Sequence, residues 1–507
     1  MAETFSSLLM GFQVALTPWS LFYCFLGVFL GALIGIVPGI GTSSGLALLL
    51  PFVFGMNPQY AIFMLAGIFY AALYADSITA VFLNIPGTAS AVFSAVEGHP
   101  LYRQGKGAYA LRTGFMCSFI ATTFSLILLT FMAPMLAQWA LRFGSAERFS
   151  LMFFAFVFVA CLSAKNTAKN FIGLAIGILI ALIGLDSVTG FPRFTFGQIW
   201  LIDGVSFVTA ILGSFALCEI MKQAGEKGVD DTIDGRTQKI SQKDVLPKIG
   251  ELWALRMSIL RGQIVGFIVG VMPGAGATIA VFITYNAEKK ASKTPEKFGT
   301  GAIEGIASTE TANSAAAIGS MVPLMGLGIP GSATTAVLLT AFIMVGLQPG
   351  PQLFVDNPEI AWGMISSMYL GNVMMILMCI VGLSFFVWII RKVVPFVVPL
   401  IVTVCVAGAF AENNWIRDVW MLLAFGLIAY LFTLLEIPVV NVLLGLILGS
   451  AMEHNFIRAL VVSGGDFTTF ITRPVSGTLI IISILLIFWP LIKKLLQKLM
   501  NLKPSRG

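Results

Sequence analysis

Gly31-Ala32-Leu33-Ile34-Gly35-Ile36-Val37-Pro38-Gly39-Ile40-Gly41-Thr42 returns in the second half as Gly266-Phe267-Ile268-Val269-Gly270-Val271-Met272-Pro273-Gly274-Ala275-Gly276-Ala277. A second pair echoes the first, Ile85-Pro86-Gly87-Thr88-Ala89 and Ile329-Pro330-Gly331-Ser332-Ala333. Proline removes a helix hydrogen bond and glycine weakens what remains, so each motif predicts a break that frees backbone groups. All four lie in apolar stretches. Hydrocarbon cannot satisfy freed backbone groups, so such breaks must line protein or a watery cavity. Matching breaks in two halves of a chain point to the binding site of a transporter.

The surrounding composition places those breaks in a bilayer. Of 507 residues, 58% are hydrophobic and 11% charged, with a mean hydropathy of +0.93; soluble domains carry about 25% charged residues. Runs at 113–137, 171–185, 362–390 and 475–492 approach or exceed what crosses about 30 Å of hydrocarbon. The fold class is therefore an all-α polytopic membrane protein seated in a lipid bilayer.

The net charge of +6 is small and spread over loops, which argues against nucleic acid as a partner. Cys24, Cys117, Cys161, Cys218, Cys379 and Cys405 lie in or beside apolar spans without a C-x-x-C, and read as packing residues. The N-terminus MAETFSSLLMGF lacks a basic n-region, so no removed signal peptide is expected. His99 and His454 read as residues of polar loops, which argues against a metal cluster. No phosphate-binding P-loop, H-E-x-x-H or obvious triad is present, and an enzyme is not expected.

Lysine and arginine mark the cytoplasmic side. Segments 97–112, 164–170, 222–261 and 286–300 are basic, whereas 52–60 and 348–360 contain no Lys or Arg and the latter carries Asp356 and Glu359. After its first motif, half one reaches an uncharged loop and half two a lysine-rich one. After the second motif the signs exchange. The halves are thus expected to be inserted in opposite directions, as an inverted-topology repeat; the alternative is chance likeness of glycine-rich membrane helices. Further spans are expected near 113–138, 149–163, 171–186, 199–221, 361–390, 393–410, 419–434, 437–450 and 475–492. That gives about 12 membrane segments, some discontinuous or re-entrant. Repeat one is taken as 1–221, a cytoplasmic linker as 222–261 and repeat two as 262–507.

A helix beginning at a break offers N–H groups and a positive dipole end, which suit a carboxylate. Small hydroxyl residues follow each break: Thr42, Ser43 and Ser44; Thr88 and Ser90; Thr278; Ser332, Thr334 and Thr335. They could contact substrate or merely cap helices. Asn84 precedes one motif, and Asn313 with Ser314 lies upstream of its counterpart. An amide can bind a carboxylate or, through its oxygen, sodium; its structural alternative is an interhelical hydrogen bond. Asp76 lies between two apolar runs and has the roles of proton carrier or coupling-ion ligand open to it, unless Ala75-Asp76-Ser77 is a surface turn. Glu310 has the same two readings, and Glu304 reads as a solvated charge.

These motifs resemble the large membrane subunit of the tripartite tricarboxylate transporters, the TctA family, over about residues 15 to 490. The likeness is strongest at Gly31–Leu50, Leu83–Leu111, Gly266–Ala280 and Glu310–Leu339. At 75–77 this chain has Ala75-Asp76-Ser77 where many members have Gly-Gly-Ser. The resemblance implies a multi-pass protein of the bacterial inner membrane, a secondary transporter driven by a sodium or proton gradient. It also implies a small four-span membrane subunit, a periplasmic solute-binding protein and a citrate-like carboxylate substrate. The family's motif positions fall on Pro38, Gly39, Gly41, Pro86, Gly87, Pro273, Gly274, Gly276, Pro330 and Gly331. Two other classes stay open on the residues alone: a passive organic-anion channel, and a non-transporting scaffold for a solute-binding protein.

Overall fold

The computed structural model describes residues 2–37, 40–162, 166–186, 190–225 and 249–501. Almost all of it is helix, with one two-stranded hairpin pairing Gly184–Leu185 with Pro192–Arg193. Among the described residues six helices are long and apolar enough to cross a membrane: Pro18–Gly35, Pro58–Leu83, Gly107–Ala140, Pro358–Leu383, Ile416–Leu434 and Val439–Val462. Shorter apolar helices accompany them, including Thr167–Ala181 and Ala333–Met344. This is a polytopic helical membrane protein.

By internal contacts the chain divides into two compact units, Met1–Leu141 with Ser206–Leu431, and Arg142–Val205 with Phe432–Gly507. The first unit contains all four motifs. Its two central helices are Pro58–Leu83 and Ile303–Leu327. Pro58–Leu83 is buried on every face from Ala61 to Val81, and that stretch includes Asp76, Ser77 and Thr79. Ile303–Leu327 is equally buried yet carries Ser308, Thr309, Glu310, Thr311, Asn313 and Ser314 inside. The two helices cross antiparallel. Asn313 donates to Leu73 O at 3.3 Å, and two turns along, Val81 and Ile306 both flank Gly98; numbering rises on one helix as it falls on the other.

Each central helix packs on a glycine-faced partner. Gly27, Gly31 and Gly35 of Pro18–Gly35 lie against Met64, Ile68 and Ala72, while Gly262, Gly266 and Gly270 of Arg256–Val271 lie against Ser308, Ala312 and Ala316. A Cβ on Gly31 would sit 2.7 Å from Ile68 Cα, and one on Gly266 2.7 Å from Ala312 Cα. Only backbones without side chains approach so closely, which is how membrane helices gain contact where lipid offers no hydrophobic drive.

In the second unit, Ser145–Leu162, Thr167–Ala181, Val439–Val462 and Pro474–Asn501 pack together. Arg193 on the hairpin forks onto Glu453 with bonds of 2.5 and 2.9 Å, a bidentate geometry that fixes the hairpin to Val439–Val462.

Several expectations need correction. His99 and His454 are not loop residues: they lie in Val92–Arg103 and Val439–Val462. Short polar helices read as loops because their composition, not their backbone, was legible. The spans expected at 361–390 and 393–410 form one helix, Pro358–Asn413, whose 56 residues far exceed the roughly 20 needed for one crossing. The span expected at 199–221 is interrupted, with a π-helical turn Leu212–Leu217 between Phe207–Ile211 and Cys218–Gly225. Most of the expected linker, residues 226–248, lies outside the described residues.

Candidate functional site

Every described motif break ends one helix and begins another. Pro18–Gly35 stops before the first motif and a new helix starts at Gly41 (φ +68°). In half two, Arg256–Val271 stops and a new helix starts at Gly276 (φ +62°). An L side chain pays about 1–2 kcal/mol in that left-handed region, which explains glycine at both positions. Pro38 and Gly39 themselves lie outside the described residues.

The second motifs match each other equally well. Pro58–Leu83 ends at Asn84 (φ 57°) and Ile303–Leu327 at Gly328 (φ 73°), both left-handed caps. After each cap the chain runs extended through Pro86-Gly87 or Pro330-Gly331. Thr88 and Ser332, both extended, then open the next helices. Gly87 packs beside Asp76 and Gly331 beside Ser320, each eleven residues earlier on its own central helix. In half two, Gly274 N–H donates to Gly331 O at 2.9 Å, tying first motif to second.

The helices that start at the breaks converge. Gly41–Leu49 contacts Ala333–Met344, and Gly276–Ala291 contacts the turn Ala89–Ala91, so each half's first motif meets the other half's second. Between them lies a cavity of about 230 Å³ lined by Gly41, Thr42, Ser43, Thr88, Ala89, Ser90, Gly276, Ala277, Thr278, Ser332, Ala333 and Thr334. Phe69 and Leu73 from one central helix, with Ala316, Ala317 and Ser320 from the other, complete it. No charged side chain is among these residues. The positive charge that these elements offer an anion is that of the helix starts, each equivalent to about half a charge.

Capping and ligand contact separate among the hydroxyls. Ser332 and Thr335 form a capping box, Thr335 N–H donating to Ser332 Oγ at 3.2 Å and Ser332 N–H to Thr335 Oγ1 at 2.8 Å. The helices starting at Gly41 and Gly276 have no side-chain cap. Thr42 Oγ1 is buried without any partner, on the cavity wall. Buried polar atoms are almost always paired, so an unpartnered hydroxyl at the start of an uncapped helix is available to a ligand. Ser44 faces away and donates to Phe215 O.

The remaining expected residues divide in the same way. Asn84 is an exposed helix cap and does not line the cavity; Pro86, Pro273 and Pro330 shape the breaks without lining it. Gly274 and Gly331 join the two motifs, and Gly87 holds Asp76. Asp76 is a fully buried residue within Pro58–Leu83 rather than a surface turn. Its Oδ2 accepts from Thr88 Oγ1 at 2.5 Å, and Thr88 Oγ1 also lies 2.8 Å from Ser90 Oγ, while its Oδ1 has no partner. Glu310 is likewise buried; its Oε1 accepts from Ser94 and its Oε2 from Ser118. Asn313 Oδ1 and Ser314 Oγ are buried and unpaired.

Sequence reading missed Ser320, Phe69 and Leu73 in the lining. The spacing that places Asp76 eleven residues before Gly87 also places Ser320 before Gly331, and would have found it.

Buried broken helices around a hydroxyl-bearing cavity are what a membrane transport protein requires. The chain belongs to the tripartite tricarboxylate transporter TctA family, whose model matches residues 21–444. It is 36% identical over 490 residues to an uncharacterized 52.8 kDa protein in the TAR-I ttuC' 3'region of Agrobacterium vitis, covering 96% of this chain and 95% of that one. A second Agrobacterium vitis protein, from the TAR-II ttuC' 3'region, is 35% identical over 237 residues, 46% of this chain and 96% of the relative. No solved structure matches.

Proposed function

We propose that this chain imports a citrate-like carboxylate across the bacterial inner membrane by cation-coupled alternating access, with the cavity as the substrate site. The observation that carries this reading is the meeting of uncapped helix starts and an orphan hydroxyl, Thr42, in one cavity without a basic side chain. Dipoles and hydroxyls recognise carboxylate oxygens. With no lysine or arginine among the described lining residues to neutralise it, a multiply charged anion needs a cation to travel with it.

The antiparallel crossing of Pro58–Leu83 and Ile303–Leu327, with matched caps and glycine faces, supports an inverted repeat of 1–221 and 262–507. In such a pair, exposure of one shared site to each side in turn follows from exchanging the conformations of the two halves. The family implies partner subunits, and we assign to them the roles of a four-span membrane subunit and a periplasmic solute-binding protein that delivers the substrate.

Labelled citrate uptake into liposomes bearing the full chain with those partners tests the reading. Uphill accumulation under an imposed sodium or proton gradient, lost in Thr42→Val with Thr278→Val, is expected. Uptake that only ever equilibrates would identify a passive channel instead, and absence of uptake of any carboxylate would favour a scaffold.

A further inference from the structure

Asp76 and Glu310 are both buried where the two central helices cross, between the Asn313–Leu73 hydrogen bond and the pair Val81 and Ile306 that flanks Gly98, and Asp76 lies in the field of Glu310. Glu310 also interacts with Tyr74 on the same helix as Asp76, Cys117 from Gly107–Ala140 and Cys379 from Pro358–Asn413, groups ordinarily neutral at pH 7. From Val92–Arg103, Glu97 is occupied by Tyr285 Oη and the N–H groups of Gly299, Gly301 and Ala302, and His99 reaches Val81 O instead. The helices starting at Gly41 and Ala333 contribute no titratable side chain. Two neighbouring buried carboxylates, with no cation paired to either among the described residues, cannot both stay ionised at acceptable cost.

The hydrogen bonds distinguish the two. Both Glu310 oxygens accept, from Ser94 and Ser118, which is the pattern that serves an ionised carboxylate. Asp76 accepts from Thr88 at Oδ2, with the Ser77 N–H as a further donor to the carboxyl, and its Oδ1 is buried without a close hydrogen-bond partner. On a buried oxygen that no close donor stabilises, a full carboxylate charge costs more than a neutral O–H, which favours the proton there.

We infer that Asp76 carries the coupling proton on Oδ1 and that Thr88 makes carboxylate binding depend on it. This rests on the cavity being the carboxylate site. Thr88 is both a cavity residue and the donor to Asp76, and a hydroxyl has one proton to donate. With Asp76 ionised, that proton is held by Asp76 Oδ2, and Thr88 turns a lone pair toward the cavity, where it repels an incoming carboxylate. With Asp76 protonated, the hold on Thr88 relaxes and its O–H turns to the substrate. The anion and the proton therefore favour each other's binding, and by linkage the effect is reciprocal. Half two has Ser320 where half one has Asp76, so one proton, not two, accompanies the substrate through this device.

Two measurements on the full chain in nanodiscs test this. The first needs no substrate: infrared spectra at pH 7 should contain a protonated-carboxyl band that moves in D2O and is lost in Asp76→Asn. No such band, or one that survives Asp76→Asn, overturns the assignment of the proton. The second is citrate binding by calorimetry across pH in sodium-free buffer. Affinity should fall roughly tenfold per pH unit above the titration of Asp76, the slope for one linked proton. Asp76→Asn should bind with a flat profile near the low-pH affinity of the wild type. Thr88→Val should also flatten the profile, and Thr88→Ser should restore it. A flat wild-type profile with affinity that rises on adding sodium overturns the proton as coupling ion. Should citrate bind to none of these proteins at any pH, the cavity's assignment to carboxylates fails, while the infrared result still decides where the proton sits.

Discussion

At the scale of single residues, hydroxyls of one chemical type do different work. Thr42 Oγ1 is an unpaired buried oxygen on the cavity wall, so Thr42→Val removes a polar burial cost while taking a ligand contact away. Its melting temperature should equal or exceed that of the wild type while citrate binds about tenfold more weakly, the worth of one hydrogen bond of about 1–1.5 kcal/mol. Ser332→Ala should do the reverse for stability. It dismantles a capping box and should lower stability by about 1 kcal/mol, read as a lower melting temperature in detergent. Sequence alone could not separate these roles, because capping depends on where the Thr335 N–H points. Asp76 was ambiguous for the same reason: an acid between apolar runs is a turn or a buried group, and only the continuous helix Pro58–Leu83 settles which.

At the scale of elements, glycine faces set how close the helices run. Gly31→Ala and Gly266→Ala each drive a methyl to within 2.7 Å of a facing Cα. Each should cost about 1–3 kcal/mol by overpacking, measured as loss of thermal stability of the full chain. Glu97 fastens Val92–Arg103 to loop 299–302 by accepting from Tyr285 Oη and three backbone N–H groups. Glu97→Gln should destabilise by about 2 kcal/mol or more, since charge-assisted bonds are lost in a buried place; an unchanged melting temperature would show that this fastening is dispensable. The breaks at Gly41, Gly276, Asn84–Thr88 and Gly328–Ser332 were legible because proline and glycine act locally. The continuity of Pro358–Asn413 was not, because two charges at 391–392 look the same at a loop as within a helix. The crossing of Asp76 past Glu310 was not legible either, being a contact between residues more than two hundred positions apart.

At the scale of the whole molecule, repetition is what turns four local irregularities into one place. Gly31 and Gly266 face matching backbones, Asn84 and Gly328 are matching caps, and Thr88 and Ser332 open matching helices. The first motif of each half meets the second motif of the other, and the cavity forms where they meet. The account stands or falls on whether substrate sits there. The most direct measurement is a cryo-EM map of the full chain in nanodiscs with saturating citrate. The account predicts density in the cavity within hydrogen-bond distance of the Thr42, Thr88 and Thr278 hydroxyls. Citrate bound elsewhere, with this cavity holding only water or lipid, would contradict it.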